Sequence, residues 1–193
     1  MIASKNRGKI SEIRTLLQDI DIEVLSLNDY PEFPEIVEDG RTFLENALKK
    51  ARTVSEMTNE IALADDSGLE VDFLGGRPGV HSARYSGDRA TDESNIRKLL
   101  EEMKGVPLEK RGAAFRCSLV LYRKDGIFRS FEGTLRGRIA LEPAGKGGFG
   151  YDPVFVVPER GKTLAELLPD VKNRISHRAK ALMKLKRYLQ KKE

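Results

Sequence analysis

AAFRCSLVLYRKDGIFRSFEGTL, residues 113–135, decides the architecture. Two apolar-rich runs, Ala113 to Tyr122 and Ile127 to Leu135, flank Lys124-Asp125-Gly126. An Asp-Gly turn between strands predicts a hairpin, and a hairpin requires antiparallel pairing. Outside this stretch, strand and helix patterns alternate. The predicted class is therefore α/β with a mixed sheet.

Upstream, Asp92 to Lys104 reads as a helix with Ile96, Leu99, Leu100 and Met103 inward and Gly105 as its stop. Leu69, Val71 and Phe73 alternate with Glu70 and Asp72, the pattern of a half-buried strand. Ile61 to Ala64 is a short buried strand running into Asp65-Asp66. Thr42 to Met57 is a helix: Thr42 and Glu45 have capping-box spacing, and Phe43, Ala47, Ala51 and Val54 form its apolar face. Ile22 to Leu25 reads as a strand, and Asn28 to Arg41, rich in Pro, Gly and carboxylates, as a loop. Lys9 to Leu17 is helical, after a very short first strand at Ile2 and Ala3. Downstream, Val154 to Val157 is a strand, Thr163 and Glu166 offer a second capping box, and Ser176 onward is a helix with Leu182, Leu185 and Leu189 on one side.

The 193 residues suffice for one domain with a sizeable core, spanning residues 1–193. No apolar run approaches the roughly 18 residues of a membrane span. The start, MIASKNRGK, is too polar for a secretory signal, and a single cysteine, Cys117, excludes an internal disulfide. A cytoplasmic location is expected. The net charge of +4 suits an anionic ligand. Six basic residues from Lys180 to Lys192 read as a solvated helix face. One Cys and two His cannot furnish the usual zinc ligand sets.

Five segments can carry chemistry. Ser4-Lys5-Asn6-Arg7-Gly8-Lys9 precedes a helix, whose free N–H groups bind phosphate; it lacks Walker A spacing, and an ordinary polar turn is the alternative. Asp65-Asp66-Ser67-Gly68 is placed at a strand end, where α/β sheets carry ligands. Magnesium takes one or two carboxylates plus phosphate oxygens, so one aspartate suits a metal while the other fixes backbone; the alternative is an acidic turn. Glu38 beside a helix start reads either as a second metal carboxylate or as a dipole partner, and Lys50 two turns on as a phosphate contact or a surface lysine. Gly145 to Asp152 (GKGGFGYD) offers close backbone approach, aromatic faces on Phe149 and Tyr151, and acceptors on Asp152, or else a Gly-rich hairpin with core aromatics. Ser176, His177 and Arg178, with Lys172 upstream, place amides and cations at the start of the last helix, where a lone histidine is also commonly structural.

In order, SKNRGK, EDGRTFLENALKKA, ADDSGLEVDFLGGRPGVHSARYSG, GGFGYDPVF and KNRISHRAKAL resemble the inosine/xanthosine triphosphate pyrophosphatase family over essentially the whole chain. The first strand is shorter than in many members. The resemblance implies an elongated mixed β-sheet flanked by helices, in two lobes with the nucleotide cleft between them, and usually a homodimer. It implies Mg²⁺-dependent hydrolysis of deaminated purine nucleoside triphosphates (ITP, dITP, XTP, dXTP) to monophosphate and pyrophosphate. Carried over by position, Ser4, Lys5, Asn6, Arg7, Gly8 and Lys9 become the phosphate loop. Glu38 and Asp66 become metal ligands, Asp66 also the general base, and Lys50 and Ser67 substrate contacts. Phe149, Gly150, Tyr151 and Asp152 become the base-binding segment, and Lys172, His177 and Arg178 further nucleotide contacts. The partner expected is a small-molecule nucleotide, with no stable nucleic acid and no membrane. Competing readings are a pyrophosphatase of other modified nucleotides, and a non-catalytic anion or nucleic-acid binder, which the carboxylates at 38, 39, 65 and 66 would oppose.

Overall fold

A computed structural model describes residues 1–30 and 32–191. The helices are α1 (Arg7–Leu17), α2 (Phe43–Thr58), α3 (Asp92–Glu102), α4 (Pro169–Ile175) and α5 (His177–Gln190). The strands are β1 (Ala62–Val71), β2 (Gly112–Tyr122), β3 (Phe128–Ile139), β4 (Phe155–Val157) and β5 (Lys162–Thr163), hydrogen-bonded in the order β1-β2-β3-β4-β5. β4 pairs antiparallel with β3 and β5. Ile2 makes isolated parallel bridges to Ser26 and Leu63. Both senses of pairing are present, as the mixed reading requires.

The hairpin between β2 and β3 forms where Asp-Gly places it. Gly126 takes φ +82, and Arg123 N–H donates to the Ile127 carbonyl at 2.9 Å. Thr42 caps α2, accepting from Glu45 N–H. The Glu45 carboxylate reaches one residue beyond the expected box, to Arg41 N–H at 2.7 Å. Asn59 in the left-handed conformation ends the helix.

Three expectations change. Ile22 to Leu25 is not a strand; the pairing shrinks to the single bridge at Ser26. The segments expected as two strands around the DDSG motif are one ten-residue strand, β1, so Asp65 and Asp66 lie in mid-strand and not at a strand end. Phe73 leaves that strand for a 3₁₀ turn, Asp72–Leu74, and is exposed. The last helix starts just after Ser176, as read from the sequence; the short α4 before it was not marked, and Pro169 starts it before Ser176 resets the chain to extended geometry. Lys192, the last of the six basic residues, lies outside the described residues.

The chain divides into two compact units. The first comprises Met1–Asp66, Cys117–Gly133 and His177–Glu193. One of its apolar clusters joins Ile10, Ile13 and Leu17 of α1 to Cys117, Leu119, Leu182 and Leu185. Another packs Ala47, Ala51 and Val54 of α2 on Ala62, Ala64 and Val120. The second unit comprises Ser67–Arg116 and Thr134–Ser176. Its core includes Leu69, Val71, Ile96, Leu99, Met103, Phe115 and Phe155, with the Phe115 and Phe155 rings 4.6 Å apart. Among the described residues no helix is long and apolar enough to cross a membrane.

Arg111 organises the second unit in a way the sequence pattern did not reveal. It is buried, and its guanidinium donates to four carbonyls: Ile139 at 2.9 Å, Met103 at 2.7 Å, Val106 at 3.4 Å and Ala140 at 2.7 Å. It thereby ties the end of α3 to the end of β3. Arg111→Met removes every donor and leaves buried acceptors unmatched. Chemical denaturation is expected to show a loss of about 3 kcal/mol or more, from the usual strength of charge-assisted hydrogen bonds and the cost of orphaned carbonyls.

Candidate active site

The two aspartates of β1 point to opposite faces, as neighbours in a strand must. Asp65 is buried against cations from two helices. Lys9 Nζ of α1 lies 3.1 Å from its Oδ2, and Arg178 of α5 donates to the same oxygen through Nε at 3.2 Å and Nη2 at 3.1 Å. Arg178 also pairs with Glu12 of α1. Burial pushes the Asp65 carboxyl up, but Lys9, Arg178 and Lys50 together outweigh it and hold the group well below the usual carboxylate range. The Arg178 guanidinium, although burial opposes its charge, is raised by Asp65 and Glu12.

Asp66 faces α2. Its Oδ2 accepts from Asn46 Nδ2 at 3.0 Å, and Lys50 Nζ stands 3.7 Å from its Oδ1. The same ammonium lies 3.0 Å from Glu38 Oε1. Glu38 reaches it from the loop before α2, where Gly40 N–H donates to Asn46 Oδ1 at 2.7 Å. Asn46 thus fixes both the loop and the aspartate with one amide. Burial is the largest influence on the Asp66 carboxyl and raises it; Lys50 acts against this, and the charge of Glu38 adds to it, leaving the group above its ordinary value. Lys50 is raised, because the attraction of Asp66, Glu38 and Asp65 exceeds the effect of its own burial.

The Ser4–Lys9 segment folds as the entry to α1. Asn6 is the N-cap, accepting from Lys9 N–H at 3.0 Å, and its own N–H donates to Ser4 Oγ at 3.1 Å. Lys5, Asn6 and Arg7 are exposed. Lys5 Nζ donates to the Phe33 carbonyl at 3.0 Å, anchoring this loop to the one that leads to Glu38.

In the second unit, Lys172 of α4 pairs with Asp152 Oδ2 at 2.7 Å, and its Nζ lies 4.5 Å from the Phe149 ring centroid. Asp152 also accepts from Phe149 N–H at 3.0 Å. Gly148 takes φ +76 with its α-carbon against that carboxylate, so a β-carbon there would collide with it. Tyr151 is buried, and its hydroxyl donates to the Ser82 carbonyl at 2.8 Å. Ser67, next after Asp66, is half-buried.

The predicted residues therefore gather in two groups, each within one unit. Ser4 to Lys9, Glu38, Lys50, Asp66, His177 and Arg178 belong to the first; Ser67, Phe149 to Asp152 and Lys172 belong to the second. His177 is buried at the start of α5. Arg178 is committed to carboxylates. Asp65, the aspartate not assigned to metal, takes ion pairs. Two residues were missed. Asn46 carries a readable signal: a polar side chain, 0% exposed, on the apolar stripe of α2 beside Ala47 and Lys50. Glu12 gives none, because its partner lies 166 residues away. Among the described residues no group of three or more His, Cys, Asp or Glu could hold a metal ion.

Asp65→Asn is expected to destabilise the fold by about 3 kcal/mol or more, because it leaves Lys9 and Arg178 short of a buried partner. The sign with pH follows from a depressed folded pKa. The contribution is complete above the ordinary aspartate value near 3.8 and declines as pH falls below it. Urea unfolding from pH 7 to pH 3 should show a shallower acid loss in the variant than in the parent.

The sequence profile of the Ham1 family matches residues 1–188. The dITP/XTP pyrophosphatase of Geobacter sulfurreducens is 53% identical over 189 residues, covering 98% of this chain and 95% of that protein. That of Geobacillus kaustophilus is 54% identical over 185 residues, covering 96% and 91%. A HAM1 protein from Coxiella burnetii superposes with a TM-score of 0.90 at 42% identity, covering 98% of this chain and 97% of that one. The Staphylococcus aureus Ham1 protein gives 0.90 at 40% identity, covering 100% and 98%.

Proposed function

The chain belongs to the Ham1 family, and from that premise we propose that residues 1–193 act as one Mg²⁺-dependent pyrophosphatase domain converting deaminated purine nucleoside triphosphates (dITP, ITP, XTP, dXTP) to monophosphate and pyrophosphate. The observation that carries the reading is the convergence of Glu38 and Asp66 on the Lys50 ammonium, at 3.0 and 3.7 Å. Two carboxylates from separate segments already share one cation position. In relatives about half identical over nearly the whole chain, the activity is that of a dITP/XTP pyrophosphatase.

The donor set fits magnesium, which takes one or two carboxylates and completes its shell with phosphate oxygens and water. Burial and the charge of Glu38 hold the Asp66 carboxyl above its ordinary value, so a cation bound there would favour its ionised form. Mg²⁺ bound there would neutralise the triphosphate and acidify water. The residues supply the rest. Asn46 holds Asp66 Oδ2, and the Asp66 carboxylate orients the attacking water and takes its proton. Lys50 sits to pair with phosphate oxygens, and the amides at the start of α1 add donors where a helix end favours anions. Water attacks the α-phosphorus, the bond to the bridging oxygen breaks, and pyrophosphate departs. Positioning and charge neutralisation dominate such chemistry.

The second unit carries the base-reading residues. Hypoxanthine and xanthine present a 6-oxo acceptor and an N1–H donor, and adenine reverses both. Asp152 supplies an acceptor, and Phe149 supplies an aromatic face. A site built this way leaves buried groups unmatched with ATP, a mismatch able to discriminate by about 10⁴. Housecleaning of the nucleotide pool in the cytoplasm, as a homodimer, completes the reading.

Asp66→Asn is expected to lower kcat by at least about 10²-fold, the usual scale for loss of acid–base catalysis. Pyrophosphate release assays check this; a kcat near that of the parent would sink the assignment. Activity should vanish with a chelator and return with Mg²⁺. The same assay should prefer dITP and XTP to ATP and GTP; equal rates with dUTP would favour a broader modified-nucleotide enzyme.

A further inference from the structure

The segment Gly147–Asp152 has little regular structure, yet three side chains fix its backbone. Asp152 accepts from Phe149 N–H, and Tyr151 donates to the Ser82 carbonyl, as described. The third is Asp92: its Oδ2 accepts from Gly150 N–H at 2.7 Å across 58 residues. Gly150 is in the left-handed conformation, φ +61, reached at little cost only by glycine. An amide in such a turn holds its direction only if an acceptor meets it.

Asp92 is well placed to be that acceptor. It is the first residue of α3, where the helix end stabilises a carboxylate. The turn that carries it is itself immobilised. Thr91 accepts from Ser94 N–H at 3.1 Å. One residue further on, Asn95 is buried and grips the 83–86 segment twice, accepting from Ser86 N–H at 2.8 Å and donating to the Ala83 carbonyl at 3.1 Å. Ser82, just before, accepts from Leu69 N–H of β1 at 2.8 Å and donates to the Gly79 carbonyl at 2.6 Å. The anchors of the loop thus lead into α3 and into the Leu69–Val71 end of β1, both of which contribute to the second unit's core.

We propose that Asp92 is a positioning residue for base selection: by holding Gly150 it sets where the Phe149 ring and the Asp152 carboxylate are presented. It touches no reacting atom and acts through the loop. This rests on the base-reading role given above to Phe149–Asp152. Because Asp92 is exposed and Thr91 remains as the helix cap, its replacement should leave the fold intact.

The test uses the full chain with Asp92→Ala and Asp92→Asn. Asparagine keeps an acceptor oxygen and loses the charge. In Asp92→Ala, KM for dITP should rise about three- to tenfold, the range for losing one charge-assisted hydrogen bond partly open to solvent, with kcat changed far less. The preference for dITP over dGTP should narrow together with it. Asp92→Asn should restore most of both. Amide hydrogen exchange over residues 147–152, measured without nucleotide, should accelerate in Asp92→Ala and stay near the parent rate in Asp92→Asn. Unchanged KM, preference and exchange in Asp92→Ala would overturn the proposal, as would an Asp92→Asn variant as impaired as the alanine. The exchange measurement needs no substrate. Faster exchange together with a parent enzyme inactive on dITP would instead count against the base-reading role and leave the anchor standing.

Discussion

The first unit depends on a buried charge that cannot stand alone. Asp65 lies inside the sheet, and an ionised carboxylate there is tolerated only because Lys9 and Arg178 meet it. That requirement fixes much else. Lys9 belongs to the opening turn of α1, so meeting Asp65 sets how the Ser4–Lys9 loop enters the helix. Arg178 opens α5, and its Nη1 donates to Glu12. One carboxylate in mid-strand thereby registers two helices against β1, and β1 in turn carries Asp66 to the opposite face.

The division of labour between adjacent aspartates follows from strand geometry. Alternation sends Asp65 to α1 and α5 and Asp66 to α2. The first carboxyl is held down by cations and is chemically quiet. The second is held up by burial and a like charge, with one oxygen fixed by Asn46. The arrangement arises because β1 continues without a break through Asp65, Asp66, Ser67 and Gly68.

Much of this was legible in the chain. The Asp-Gly hairpin, the Thr42 cap and the apolar face of α2 are local signals, and the fold honours them. Glu38, Lys50 and Asp66 were joined only by the family resemblance; taken one at a time, each left a structural alternative open. What failed did so for want of long-range information. Nothing in the sequence near Ser67 and Gly68 shows that a strand continues, since their weak strand preference is overridden by neighbours in the sheet. Ile22 to Leu25 has strand character but, outside the Ser26 bridge, no partner strand. Arg178 was read as a nucleotide contact, and its pairing with two carboxylates could not be read locally because they lie more than a hundred positions away. Arg111 was invisible for a related reason: its acceptors are main-chain carbonyls, which any sequence provides.

Cys117 sits in β2 with the first unit's apolar cluster around it. Burial pushes its thiol up to about 12, and the neighbouring negative charge of Asp65 adds to the shift. Thiolate is the form that reacts with alkylating reagents, disulfides and peroxide. The folded protein's only sulfhydryl is thus silent, so a second cysteine engineered onto the surface would be the sole target for a fluorophore or spin label. Conversely, reaction of the native thiol reports the fraction of molecules that have opened, giving a built-in clock for unfolding.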